Sequence, residues 1–204
     1  MSNTDLSVSI DGYSSNRFLD TSLEFNDSNK FDYVGRNHNV MLNAIRSLQD
    51  NHIEAVNFSL SALRGIYDGY INSMSIGTSA KNYLLQIPNI IDGKSFNKYS
   101  FSALKNNILA LESKVQNDNN ISVLEQRLLL STLSIARHSM VDALNGNSSI
   151  NNHNVHITSD WYDAYYGFFC DAFGYVYASG NGNPDWVCEV IASICSANLW
   201  CPTS

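Results

Sequence analysis

The chain has 204 residues and a net charge of −7, with 44% hydrophobic, 11% aromatic and only 15% charged residues. That is enough apolar material for one packed domain, while the charged fraction falls well below the usual ~25%. An acidic balance with no basic stripe argues against nucleic-acid binding through phosphate neutralisation and against anionic membrane surfaces.

Residues 1–30 show no sustained period. "DGYSSN" and "NDSNK" are turn-rich, which predicts a loosely ordered arm anchored by aromatics such as Phe18 and Phe25. A first helix is predicted from Asp32, a good N-cap. Val34, His38, Met41, Ile45 and Leu48 follow at spacings that share one helix face, with Asn39 on the adjacent strip. His38 thus holds a packing position. A second helix is predicted from Asn51, with Glu54 placed to complete a capping box. Ile53, Val56, Leu60, Leu63, Tyr67, Tyr70 and Met74 form its face, and Gly77 ends it. Gly65 and Gly69, one turn apart, suggest the close approach of another helix. "SAKNYLLQIPNIIDGK" reads as a short helical piece broken or kinked at Pro88.

Phe101, Leu104, Ile108, Leu111 and Val115 mark a fourth helix. After "NDNN", Ser122 and Glu125 form a second capping box. The fifth helix then carries Leu124, Leu128, Leu129, Leu133, Ala136, Met140 and Leu144. So wide an apolar stripe predicts a central position.

"NGNSSINNHNVHIT" is the clearest boundary. All three tryptophans and all four cysteines lie beyond it. "DWYDAYYGFFCDAFGYVYASG" and "NPDWVCEVIASICSANLW" read as an αα-hairpin. Gly180 closes its first helix, and Asn183 with Pro184 opens its second. The fold class is therefore all-α, a six- to seven-helix bundle with a C-terminal aromatic- and Cys-rich αα-hairpin. Residues 31–204 are expected to form one helical domain: a main bundle over 31–145, a loop over 146–158 and the hairpin over 159–204. "MSNTDLSVSIDGYSSNRFLD" lacks the charged and apolar regions of a secretory signal, and no window of ~18 apolar residues occurs. The expectation is a cytoplasmic protein with no transmembrane span. Export without a cleavable signal stays open.

The chemistry-bearing residues offer several candidates. His38, Asn39 and Asp171 are read as structural polar groups of the bundle. His153 and His156, with Asp160 and Asp163, are the only set resembling metal ligands. Asp160 and Asp163 also suit the opening turn of a helix, where the dipole favours negative charge. Folding the hairpin about Asn181 places Cys170 nearest Cys195, a possible disulfide; four buried free cysteines are the alternative. The sequence holds no Glu-x-x-His pair, no H-E-x-x-H, no P-loop, no dinucleotide fingerprint, no G-x-S-x-G elbow and no redox C-x-x-C. No catalytic residue and no cofactor is assigned.

Gly35, His38, Asn39 and Leu42, in "YVGRNHN" and the residues after it, together with the helix "SVLEQRLLLSTLSIARHS", carry a resemblance. The chain resembles a group of uncharacterised bacterial proteins with a G-x-x-H-N-x-x-L/M element near the N-terminus. The resemblance implies a mid-chain helix and a C-terminal hairpin in this order. It implies no activity and no site residues.

The functional expectation is a non-enzymatic helical protein that works by interaction with a protein partner or by self-association. Trp161, Tyr165, Trp186 and Trp200 of the hairpin are the candidate contact residues, since aromatics dominate interface hot spots. The alternatives are a secreted, toxin-like effector with a disulfide-stapled hairpin, and a metal-dependent hydrolase using the 153–163 region.

Overall fold

The computed structural model describes residues 25–48, 60–91, 98–144 and 160–196. Among them are seven helices and no strand: α1 (Asp32–Leu48), α2 (Leu60–Ser73), α3 (Thr78–Ile91), α4 (Lys98–Asn117), α5 (Val123–Leu144), α6 (Asp160–Gly180) and α7 (Asp185–Ser196). The expected all-α bundle is present. The predicted start of the second helix at Asn51 lies outside the described residues, as does the 146–158 loop. No helix among the described residues is long and apolar enough to cross a membrane.

α5 is the axis. Every residue from Leu128 to Met140 is buried, as a stripe of that width requires. Its start is secured by the predicted capping box. Ser122 N donates to Glu125 Oε2 at 2.7 Å, and Glu125 N donates to Ser122 Oγ at 3.2 Å. The same carboxylate accepts from Gly77 N at 2.5 Å, so the α2–α3 junction is tied to the head of α5. Leu124, expected on the core stripe, is 77% exposed. It sits in the first turn, short of the packed length, where Ile121 supplies the contact with the core instead.

Two groups of helices surround α5. α1 and α6 pack on α5, and α7 packs on α1 and α6; α4 and α3 form the second group, with α2 bridging α3 and α6. The inner half of α6 is core, with Phe173, Tyr175 and Val176 all buried. Tyr67 meets the Phe173 ring edge-on at 5.4 Å, and the Tyr70 hydroxyl donates to the Tyr177 carbonyl at 3.1 Å. α6 and α7 are thus integral to the bundle rather than a detachable hairpin.

Three local expectations are corrected. α3 runs unbroken through Pro88. Proline removes the N–H that would bond the carbonyl four residues earlier. That carbonyl is Leu84 O, and the Tyr67 hydroxyl donates to it at 3.0 Å, so the acceptor is not orphaned. Among the described residues Gly65 and Gly69 mediate no close approach, because a Cβ at either would meet none of them within 4 Å. The contact glycine is Gly35, where a Cβ would lie 2.5 Å from both the His138 ring and the Ser134 hydroxyl. Finally, the inner face of α1 runs through Leu42, which is buried, rather than through half-buried Met41.

Candidate functional site

Asp32, Gly35, His38, Asn39 and Leu42 recur at helical spacing on α1 and form the face turned to the bundle. Gly35 lets that face touch α5 closely. Its N–H donates to Ser134 Oγ at 3.2 Å, and the Ser134 hydroxyl donates to the Asp32 carbonyl at 3.0 Å. Asp32, expected as the N-cap of α1, instead directs its carboxylate inward. Asn29 Oδ1 serves the turn before the helix, accepting from Phe31 N at 2.9 Å.

Asp32 enters a buried ionic network. Arg137 of α5 pairs with Asp32 Oδ1 and lies 3.1 Å from Glu112 Oε1 of α4. Glu112 also accepts from Asn26 Nδ2 at 2.5 Å and Asn29 Nδ2 at 2.9 Å. Asn29 Nδ2 reaches Leu130 O as well, at 3.0 Å. Residues 25–30, expected as the end of a loose arm, are therefore turns pinned to α4 and α5. The other oxygen of Asp32 lies 3.4 Å from His138 Nε2. Phe25 meets the His138 ring edge-on at 6.0 Å, with the Arg36 guanidinium over its face.

Burial alone would raise the Asp32 carboxyl. Hydrogen bonds from His138 and Arg137, with their charges, outweigh it and hold the group at about 2. Burial pushes the His138 ring the other way, below its usual 6.5. The Arg137 and Arg36 charges add to that, against the opposing pull of Asp32.

A second polar group lies further along the same face. His38 Nε2 is 3.2 Å from Asp171 Oδ1 of α6, with side chains only 0% and 1% exposed. His38 Nδ1 lies 3.1 Å from Asn39 Oδ1, and Asn39 Nδ2 donates to the His138 carbonyl at 3.0 Å. On α7 the Ser193 hydroxyl lies 3.2 Å from the His38 carbonyl, one turn from buried Glu189. Asn39 therefore joins the two groups, and α1 is fastened to α4, α5, α6 and α7 through polar atoms.

The structure brings His38, Asn39 and Asp171 together. Asp160 and Asp163 fall in the first turn of α6, and Trp161, Tyr165 and Trp186 on α6 and α7, where side chains are not described. His153, His156 and Trp200 lie outside the described residues. Cys170 and Cys188 are buried, whereas the Cys195 side chain is outside the described set. Among the described residues, no group of three or more His, Cys, Asp or Glu is placed to hold a metal ion.

Sequence reasoning passed over Glu112, Arg137, His138 and Asn29. A signal existed for three of them. Arg137 and His138 are the only ionisable residues in the run from Leu128 to Met140, on a helix expected to be central. Glu112 stands four residues after Ile108 and three before Val115, on the apolar stripe of α4. Charges at such positions are seldom buried without a partner.

Chemically, the cluster can hold charge and protons in place. Asp32, His38, Glu112, Arg137, His138, Asp171 and Glu189 are all less than a tenth exposed. No family model, no curated protein and no solved structure matches the chain.

Proposed function

We propose that the protein acts by contact rather than by catalysis, as a helical interaction or self-association protein. The observation that carries this reading is the burial of the acid–base groups just described. They face one another across helix seams, as fasteners do, rather than a space open to a substrate. The contact surface is assigned to the hairpin, at Trp161, Tyr165, Trp186 and Trp200. Val123 and Leu124, 74% and 77% exposed at the head of α5, add an apolar pair to the surface.

Light scattering coupled to size exclusion tests this on the full chain across a range of concentrations. The expected result is a mass above that of the monomer that grows with concentration. The double variant Trp161→Ala/Trp186→Ala returns it to the monomer with unchanged helicity and melting temperature. A monomer at every concentration, whose double variant melts far lower, would make these tryptophans core and remove the hairpin as a contact surface.

A further inference from the structure

Asn39 stands between the two buried histidines, and its amide fixes where their hydrogens lie. Its Nδ2 donates to the His138 carbonyl, which can only accept, so the NH2 group must face that way. Its Oδ1 therefore faces His38 Nδ1, 3.1 Å away. An amide oxygen also only accepts, so His38 Nδ1 carries a hydrogen.

The opposite nitrogen, Nε2, is 3.2 Å from Asp171 Oδ1. A neutral ring with its hydrogen on Nδ1 would turn a lone pair toward that carboxylate. Two electron-rich atoms so close, with almost no water to screen them, repel. A second ring proton converts the repulsion into an ion pair.

His138 is in the reverse situation. Its Nε2 approaches Asp32, but Arg137 holds the other oxygen of that carboxylate, and Arg36 lies nearby on α1. The ring shares its carboxylate with the Arg137 guanidinium and feels the Arg36 charge as well, so it stays neutral and donates through Nε2.

We propose that α1 is a proton-gated latch, closed when His38 is an imidazolium paired with Asp171 and His138 is neutral, and released when either ring changes state. The groups that set the two states come from every element packed around α1. They are Asp32 and Arg36 on α1 itself, Glu112 on α4, Arg137 on α5, Asp171 on α6 and Glu189 on α7. The two rings give docking opposite limbs. The His38 contribution needs the second ring proton opposite Asp171 and is lost when that proton leaves. The His138 contribution is lost as pH falls below 6.5 and a proton is forced onto the ring. α1 answers first because its described seam is mostly polar, with Val34 and Leu42 its fully buried apolar side chains.

The test uses the full chain with 15N-labelled histidine. One ring is expected to keep both nitrogens protonated near pH 8, where an ordinary histidine of pKa about 6.5 is neutral. A second should remain a neutral Nε2–H tautomer near pH 5.5, where an ordinary one is mostly charged. Asp171→Asn should abolish the first signal and His138→Gln the second. The wild-type titration stands without the variants: if every ring titrates near 6.5, the proposal is wrong. Hydrogen exchange on the same protein reads the latch. Protection of amides 32–42 should fall at least ~10-fold beyond the intrinsic rate change at both limits, while 104–115 keep theirs. Equal loss in both segments would mean global unfolding and would overturn the latch.

Discussion

The seam between α1 and α5 and the seam between α3 and α4 are built from opposite materials. The first sets Asp32, Gly35 and Asn39 against Ser134, Arg137 and His138, with His38 of the same helix paired to Asp171 of α6. The second is made of Ala80, Leu84 and Ile87 with Leu104, Ile108, Leu111 and Val115. Apolar burial is non-directional and contributes most of the folding free energy. Hydrogen-bonded charges are directional, and their attraction is largely offset by the cost of leaving water. The apolar seam therefore supplies affinity between helices, while the polar seam specifies where α1 sits along and around α5. The difference teaches that a helix can be fully docked and still be held by groups that titrate.

The sharpest way to break that comparison is Arg137→Met. It leaves Asp32 and Glu112 facing each other with no cation between them. The expected loss is about 3–5 kcal/mol in denaturant unfolding, because buried charges are stranded. Adding Asp32→Asn and Glu112→Gln should restore most of it. A loss no larger than that of a surface change would mean the network does not hold α1. The counterpart in the other seam is Leu104→Ala, expected to cost roughly 2–5 kcal/mol through lost burial and a cavity. Its cost should not vary with pH.

The pH dependence of wild-type stability separates the seams further. Asp32 is ionised in the fold down to about 2, against an ordinary 3.8, so its contribution is complete above 3.8 and is lost as pH falls toward 2. His138 is kept neutral by burial, so stability begins to fall earlier, as pH drops below 6.5. The part of the acid limb that begins at 6.5 thus belongs to the polar seam, whereas Glu125 and Asp118, held low by hydrogen bonds from Gly77 and Asn120, add their loss only in the carboxylate range. Burial holds the Tyr67 phenol, which caps Leu84, far above its usual 10.0, so the contribution of this group is lost only as pH rises beyond 10.0. Unfolding free energies measured across this range should show a decline between neutral and mildly acidic pH that His138→Gln flattens. An unchanged slope in that variant would assign the acid limb elsewhere.

Gly35→Ala follows in size. The added methyl would meet the His138 ring and the Ser134 hydroxyl at 2.5 Å, and the Ser134 carbonyl at 2.6 Å. A backbone carbonyl cannot swing aside, so α1 must move off α5, at a cost of roughly 1–3 kcal/mol. Loss of protection confined to α1 would show that the seam, rather than the whole bundle, had opened.

What could be read in advance divides along the same line. The faces of α4 and α5 and the Ser122–Glu125 box depend on residues three or four apart, and periodicity finds those. Leu124 fits the period too, yet it lies beyond the packed length, which no local pattern measures. Pro88 argues for a break; the hydroxyl that satisfies Leu84 comes from another helix. Asp32 has the right type and place for an N-cap, but its partner Arg137 lies 105 residues away. The pairing of His38 with Asp171 is equally non-local, so His38 could be placed on the inner face while its partner could not be named. Local rules fix helices and their faces. Which charge meets which is decided by the packing of helices distant in sequence.

Gly69→Ala carries the smallest expected effect and has the opposite sign. Two glycines one turn apart on α2 invite the idea of a second close seam like the one at Gly35. The geometry shows none among the described residues, since a Cβ at Gly69 meets none of them within 4 Å. With no contact to lose, what remains is backbone entropy. Glycine in a helix interior costs about 0.8–1.0 kcal/mol relative to alanine. The substitution should therefore raise stability by up to about that amount, seen as a higher denaturant midpoint with an unchanged slope. A destabilised Gly69→Ala would mean that another surface comes close to α2 at this position. The exposed side of α2 would then be a contact face rather than a solvent face.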